Sequence, residues 1–131
     1  GHPDRLPGAP EEPVIAGVRN IVVAATDAEA DRIARPAFAH WYGSLAKLWW
    51  DHGDQPSAAI IADFDVARGC GMMVAGSPDT VRAELAAQLD QCDINRIIAQ
   101  MAFGDISHED EMRSLELFAT EIMPALRELG E

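Results

Sequence analysis

Apolar positions along this chain follow two rhythms: short runs of strand length, and longer stretches repeating every three or four residues. The first run, within Val14 to Ala25, is strongest at Val18-Arg19-Asn20-Ile21-Val22-Val23-Ala24-Ala25, where β-branched residues predict a strand. Thr26 and Glu29 then form a capping box. From Asp27 onward, Ile33, Ala37, Trp41, Leu45, Leu48 and Trp49 trace a helical stripe. Pro36 interrupts it. A proline there removes a backbone hydrogen bond at a cost of about 3 kcal/mol, so the pattern predicts two helical pieces dividing near Arg35.

A polar break from Asp51 to Gln55 follows, and Ala58 to Val66 reads either as a short helix or as an irregular apolar segment. Gly69-Cys70-Gly71 leads into a second strand at Met72-Met73-Val74-Ala75. Gly76 turns the chain, Ser77 caps, Pro78 takes the first helical position and Asp79 suits the positive end of the helix dipole. Val81, Leu85 and Leu89 form the apolar stripe of that helix. The third unit repeats this grammar. Arg96 to Ala102 predicts a buried strand, Phe103-Gly104-Asp105 a glycine turn, and Ser107 a cap ahead of Glu109, Asp110 and Glu111. Met112, Leu115, Phe118, Ala119 and Ile122 make the expected stripe, and Pro124 marks a bend or an end. Three strand-to-helix units in succession predict an α/β fold with a parallel sheet and right-handed crossovers.

Composition narrows the partners more than the fold. Of the 131 residues, 48% are apolar and 24% charged, as in a globular domain with a real core. Gly1 to Pro13 holds four of the eight prolines and reads as an extended lead-in, leaving 14–131 as one domain. A net charge of -12 argues against nucleic acid or an anionic membrane, which need a basic face. No apolar run approaches the roughly 20 residues that span a bilayer. Cys70 and Cys92 lack a CxxC or zinc-site spacing, so two free thiols in a reducing cytoplasm are expected.

Few residues carry obvious chemistry. The turn Gly76-Ser77-Pro78-Asp79 has the form that holds phosphate on backbone N–H groups, yet Asp79 would repel the anion, and helix capping is the stronger reading. His108 sits beyond a strand's carboxyl end, where an imidazole can act as acid or base or simply be solvated. No second His or Cys stands at ligand spacing, so no metal site is expected. His40 reads as a surface or packing residue. Trp41, Tyr42, Trp49 and Trp50 would line a flat cofactor or, more commonly, form core or interface.

Several stretches together resemble one family. They are Val22-Val23-Ala24-Ala25-Thr26-Asp27-Ala28-Glu29-Ala30 with Ala34-Arg35-Pro36-Ala37; Val74-Ala75-Gly76-Ser77-Pro78-Asp79-Thr80-Val81; and Ala99-Gln100-Met101-Ala102-Phe103-Gly104-Asp105 with Met112 to Ala119 and Ile122-Met123-Pro124. In this order and separation they resemble the bacterial luciferase-like flavin-dependent monooxygenases, over about residues 14 to 129. The resemblance implies a (β/α)₈ TIM barrel, of which this chain would be the last three or so parallel βα units. It implies reduced FMN or the deazaflavin F420 as cofactor and a small organic substrate. Gly76, Ser77, Phe103 and Gly104 would then lie at the cofactor rim, with Phe103 pointing into the pocket mouth. The missing strands carry much of the flavin pocket, so the isolated chain would not turn over. It would instead pair its open edges with the N-terminal barrel half or with copies of itself. Rival expectations are a shortened, non-catalytic scaffold subunit and an autonomous small α/β cofactor-binding domain.

Overall fold

In the computed structural model, the described residues are Gly8, 13–54 and 62–129. Most of the proline-rich lead-in and the first part of the Ala58–Val66 segment lie outside them. Three strands form a parallel sheet: β1 (Ala16–Val23), β2 (Met73–Gly76) and β3 (Arg96–Gln100). Between and after them run α1 (Asp27–Asp51), α2 (Phe64–Gly69), α3 (Pro78–Gln91), α4 (His108–Leu117) and α5 (Met123–Glu128), the last two joined by a π-helical turn at Phe118–Ile122. The expected α/β rhythm of three parallel βα units is therefore observed.

The strand order is β2-β1-β3, with the first strand in the middle. Alternation along β1 divides the core in two. Val22 and Ala24 point with Met73 and Ala75 toward α1 and α2, meeting Ile33, Ala34, Ala37, Phe38 and Phe64. Ile21 and Val23 point with Val74 the other way, against Val81 and Leu85 of α3, Met101 and Ile122. The two crossovers thus run in opposite directions along the sheet and on opposite faces, so they share one hand, as parallel connections generally do. Three consecutive units of a barrel would instead place the second strand in the middle and all helices on one face.

The two proline expectations resolve in opposite ways. α1 is continuous over 25 residues despite Pro36. Pro36 and Arg32, whose carbonyl the ring deprives of its donor, are both exposed, on the side of the helix where solvent can reach that carbonyl. The buried residues Ile33, Ala34, Ala37 and Phe38 meanwhile pin both sides of the proline to the sheet. Pro124 sits in the first turn of α5, just beyond the π-helical turn, where Met123 N–H reaches back to the Phe118 carbonyl.

The apolar stripe predicted for α4 is displaced. Met112 and Leu115 are 51% and 38% exposed, whereas Ser114 is 2% exposed and Ile122 fully buried. The cause is a hydrogen bond. Val23 N–H donates to Ser114 Oγ at 2.8 Å, because β3 pairs with β1 only as far as Asn20 and leaves that buried donor without a strand partner. Satisfying it rotates α4 so that a serine, not a leucine, meets the sheet.

Candidate functional site

The carboxyl ends of the strands carry the residues with the most chemical potential, and local sequence puts them there. Thr26 Oγ1 accepts from Glu29 N–H at 3.2 Å and starts α1 immediately after β1. Asp27, one residue on, reaches across to the β2–α3 turn, where Ser77 N–H donates to its Oδ1 at 2.7 Å. This backbone bond, with those of the Thr80 and Ser77 hydroxyls, holds the Asp27 carboxyl below its usual range. Ser77 Oγ in turn accepts from Thr80 N–H at 3.4 Å, as the cap of α3. A Cβ on Gly76 would lie 2.8 Å from Thr80 Cγ2 and 2.9 Å from Asp27 Oδ1, so the turn is already filled. The carboxylate of Asp27 thus stands where a bound anion would.

The β3–α4 loop is held from the other side of the sheet. Met101 points into the α3 core and Phe103 into the α1 core, so the loop straddles both faces. Phe103 is 7% exposed and meets Trp41 edge-on, with ring centroids 6.4 Å apart and planes at 75°. It packs inward against α1 instead of opening to a pocket mouth, because the turn at Gly104 draws the loop onto that helix. Gly104 has φ +62°, and a Cβ there would sit 2.0 Å from the Ala37 carbonyl oxygen, so both conformation and contact demand glycine. Beside it, Asp105 Oδ2 lies 3.7 Å from His40 Nδ1, with both side chains more than half exposed.

His108 opens α4 behind the Ser107 cap, where Asp110 N–H donates to Ser107 Oγ at 3.1 Å. Its imidazole is exposed and has no hydrogen-bond, ionic or ring partner among the described residues. Nothing orients it for proton transfer. Among the described histidines it is His40, the surface or packing residue of the sequence pattern, that has a carboxylate neighbour, and only folding brings it to Asp105. Arg113, 3.4 Å from Glu29 and 3.3 Å from Glu109, likewise ties α4 to the start of α1. Of the aromatic group, Tyr42 is buried, Trp41 and Trp49 lean on the α1 core, and Trp50 is 48% exposed. The packing reading holds for the first three. Cys70 and Cys92 are free and exposed. Among the described residues no helix is long and apolar enough to cross a membrane.

No family model matches the chain. It is 28% identical over 106 residues to y4wF, an uncharacterized protein of Sinorhizobium fredii, which covers 81% of this chain and 31% of that protein. Among solved structures it resembles the oxygenating constituent of 3,6-diketocamphane monooxygenase from Pseudomonas putida, a type II Baeyer-Villiger monooxygenase in complex with FMN. That likeness has a TM-score of 0.61 at 23% identity, over 83% of this chain and 33% of that one. It shows a shared fold. The chain spans about a third of the length of either protein.

Proposed function

We propose that this chain forms the C-terminal βα units of a luciferase-like, flavin-dependent oxidoreductase, a structural part of its barrel without a flavin site of its own. The observation that carries the reading is the fold likeness to one third of an FMN-bound monooxygenase, on top of the ordered motifs from Val22 to Pro124. The parent would use reduced FMN or F420 to oxidise a small organic substrate in the cytoplasm. The residues at the strand carboxyl ends here do not fit an FMN phosphate. Ser77 N–H is already given to Asp27, whose negative charge would oppose a phosphate, and Gly76 and Gly104 are filled by Thr80 and Ala37. The flavin would therefore be held by strands outside this chain. The open edges of β2 and β3 are where such strands would pair.

This reading carries a structural demand. A barrel wall keeps its helices outside, so in the parent α1 would have to leave the face that it shares here with neither α3 nor α4. The order β2-β1-β3, with helices on both faces, favours a second reading: a self-contained small α/β unit serving as a non-catalytic interaction subunit. The reading frame upstream of Gly1 separates them. About five further βα units are expected there, and a stop codon in their place would sink the barrel reading. Titrating FMN with the purified chain tests the missing site: the expected result is a colourless protein that causes no saturable change in flavin fluorescence at micromolar concentrations. Tight, saturable binding would show that the chain holds flavin by itself.

A further inference from the structure

At the amino-terminal end of β3, away from the loops just described, an open groove of about 570 Å³ runs between the sheet edge and the C-terminal helices. Its size is that of a small-molecule site. Ile97 and Ala99 form its floor, while Leu89 of α3, Phe118 and Leu126 form apolar walls. Arg96 and Arg127 stand at the groove as its charged residues. Their isolation is unusual for this chain. In a protein of net charge -12, Arg35, Lys47, Arg68, Arg82 and Arg113 each pair with a carboxylate, and Arg19 is held by Gln88. Among the described residues, only Arg32, Arg96 and Arg127 of the Lys and Arg side chains lack a partner, and two of these three line this one groove. Among the described residues no carboxylate lines it; Asp90 belongs to the adjoining hollow across Leu89. The remaining polar side chain, Asn95, is occupied, donating to the Pro13 carbonyl at 2.7 Å and accepting from Ile15 N–H at 2.9 Å.

We propose that this groove binds a small amphipathic carboxylate, its head between Arg96 and Arg127 and its aliphatic or aryl body on Ile97, Ala99, Phe118 and Leu126. Two unpaired guanidinium groups beside apolar walls supply charge and burial together, which neither a neutral apolar ligand nor a small hydrophilic anion would use in full. The proposal does not rest on the flavin reading. It is tested on the full chain by titrating octanoate, with 1-octanol and acetate as controls lacking the head or the body. Methyl NMR resonances of Ile97, Ala99 and Leu126 report the location. Octanoate is expected to saturate and to shift these methyls. Octanol and acetate should each bind at least about tenfold more weakly, the factor that corresponds to about 1.4 kcal/mol. The double variant Arg96→Gln, Arg127→Gln, at exposed positions, should keep the wild-type melting temperature and lose at least about tenfold in octanoate affinity. No saturable binding, shifts mapping elsewhere, octanol binding as tightly as octanoate, or less than a twofold loss in the double variant would each overturn the assignment.

Discussion

Replacing Gly104 by alanine tests how the β3–α4 loop is fixed to α1. Two costs add. An alanine held in the left-handed region loses about 1–2 kcal/mol relative to its preferred conformations. The new methyl would lie 2.0 Å from the Ala37 carbonyl oxygen, more than 1 Å inside ordinary contact, and α1 or the loop must move to admit it. Overpacking of this kind costs typically 1–3 kcal/mol. The sum is about 2–5 kcal/mol, a large share of the 5–15 kcal/mol that holds most domains together. Gly53 supplies the control, because it has φ +76° with nothing within 4 Å of its absent Cβ. Gly53→Ala should therefore show the conformational cost alone. Urea unfolding of both variants, followed by circular dichroism at several temperatures, yields the two free energies. A Gly104→Ala loss no larger than that of Gly53→Ala would refute the claim that close approach to Ala37 dictates the glycine.

Three further predictions concern the same end of the sheet, and a fourth its edges. Phe103→Ala should lose about 3–5 kcal/mol of stability by denaturant unfolding, as a buried aromatic does; a loss below about 1 kcal/mol would return Phe103 to a pocket rim. Ser114→Ala leaves the Val23 N–H buried without an acceptor and should cost about 1–3 kcal/mol, a figure that equal midpoints for variant and wild type would contradict. Asp27 has its folded pKa lowered, so its stabilising contribution is present above the carboxyl's unfolded value and is lost as pH falls through the folded one. The difference in melting temperature between wild type and Asp27→Asn should therefore be steady at neutral pH and shrink below about pH 4; a difference independent of pH would show that the charge is irrelevant. Finally, the two open strand edges and the exposed Val18 and Ile98 predict self-association, which sedimentation at micromolar concentration would contradict by finding a compact monomer.

Local grammar was legible because local chemistry writes it. Thr26, Ser77 and Ser107 each cap the helix that the sequence assigns to them, and the three strands occupy the apolar runs. Order in the sheet was not legible, since nothing within a run of valine and isoleucine says which neighbour it pairs with. The continuity of α1 through Pro36 depended on which side of the helix met the sheet, a tertiary fact. The rotation of α4 followed from one buried N–H of Val23, whose want of a partner exists only once β3 stops short at Gln100. The candidate site suffered most. Asp27 and Ser77 are 50 residues apart and His40 and Asp105 are 65 apart, and no spacing rule links such pairs.

The π-helical turn at Phe118–Ile122 has a consequence for how this chain tolerates change. Closing a turn with a bond from Met123 back to Phe118 takes one residue more than an α-helical turn, equivalent to a rotation of about 100°. The turn thus acts as a phase shifter, decoupling the angle of α5 from that of α4. Ser114 can satisfy β1 while Leu126 and Arg127 still face β3, two orientations that an unbroken α-helix would not combine. Deleting Ala119 should remove the extra residue and leave a longer, more regular helix with Arg127 still at the groove.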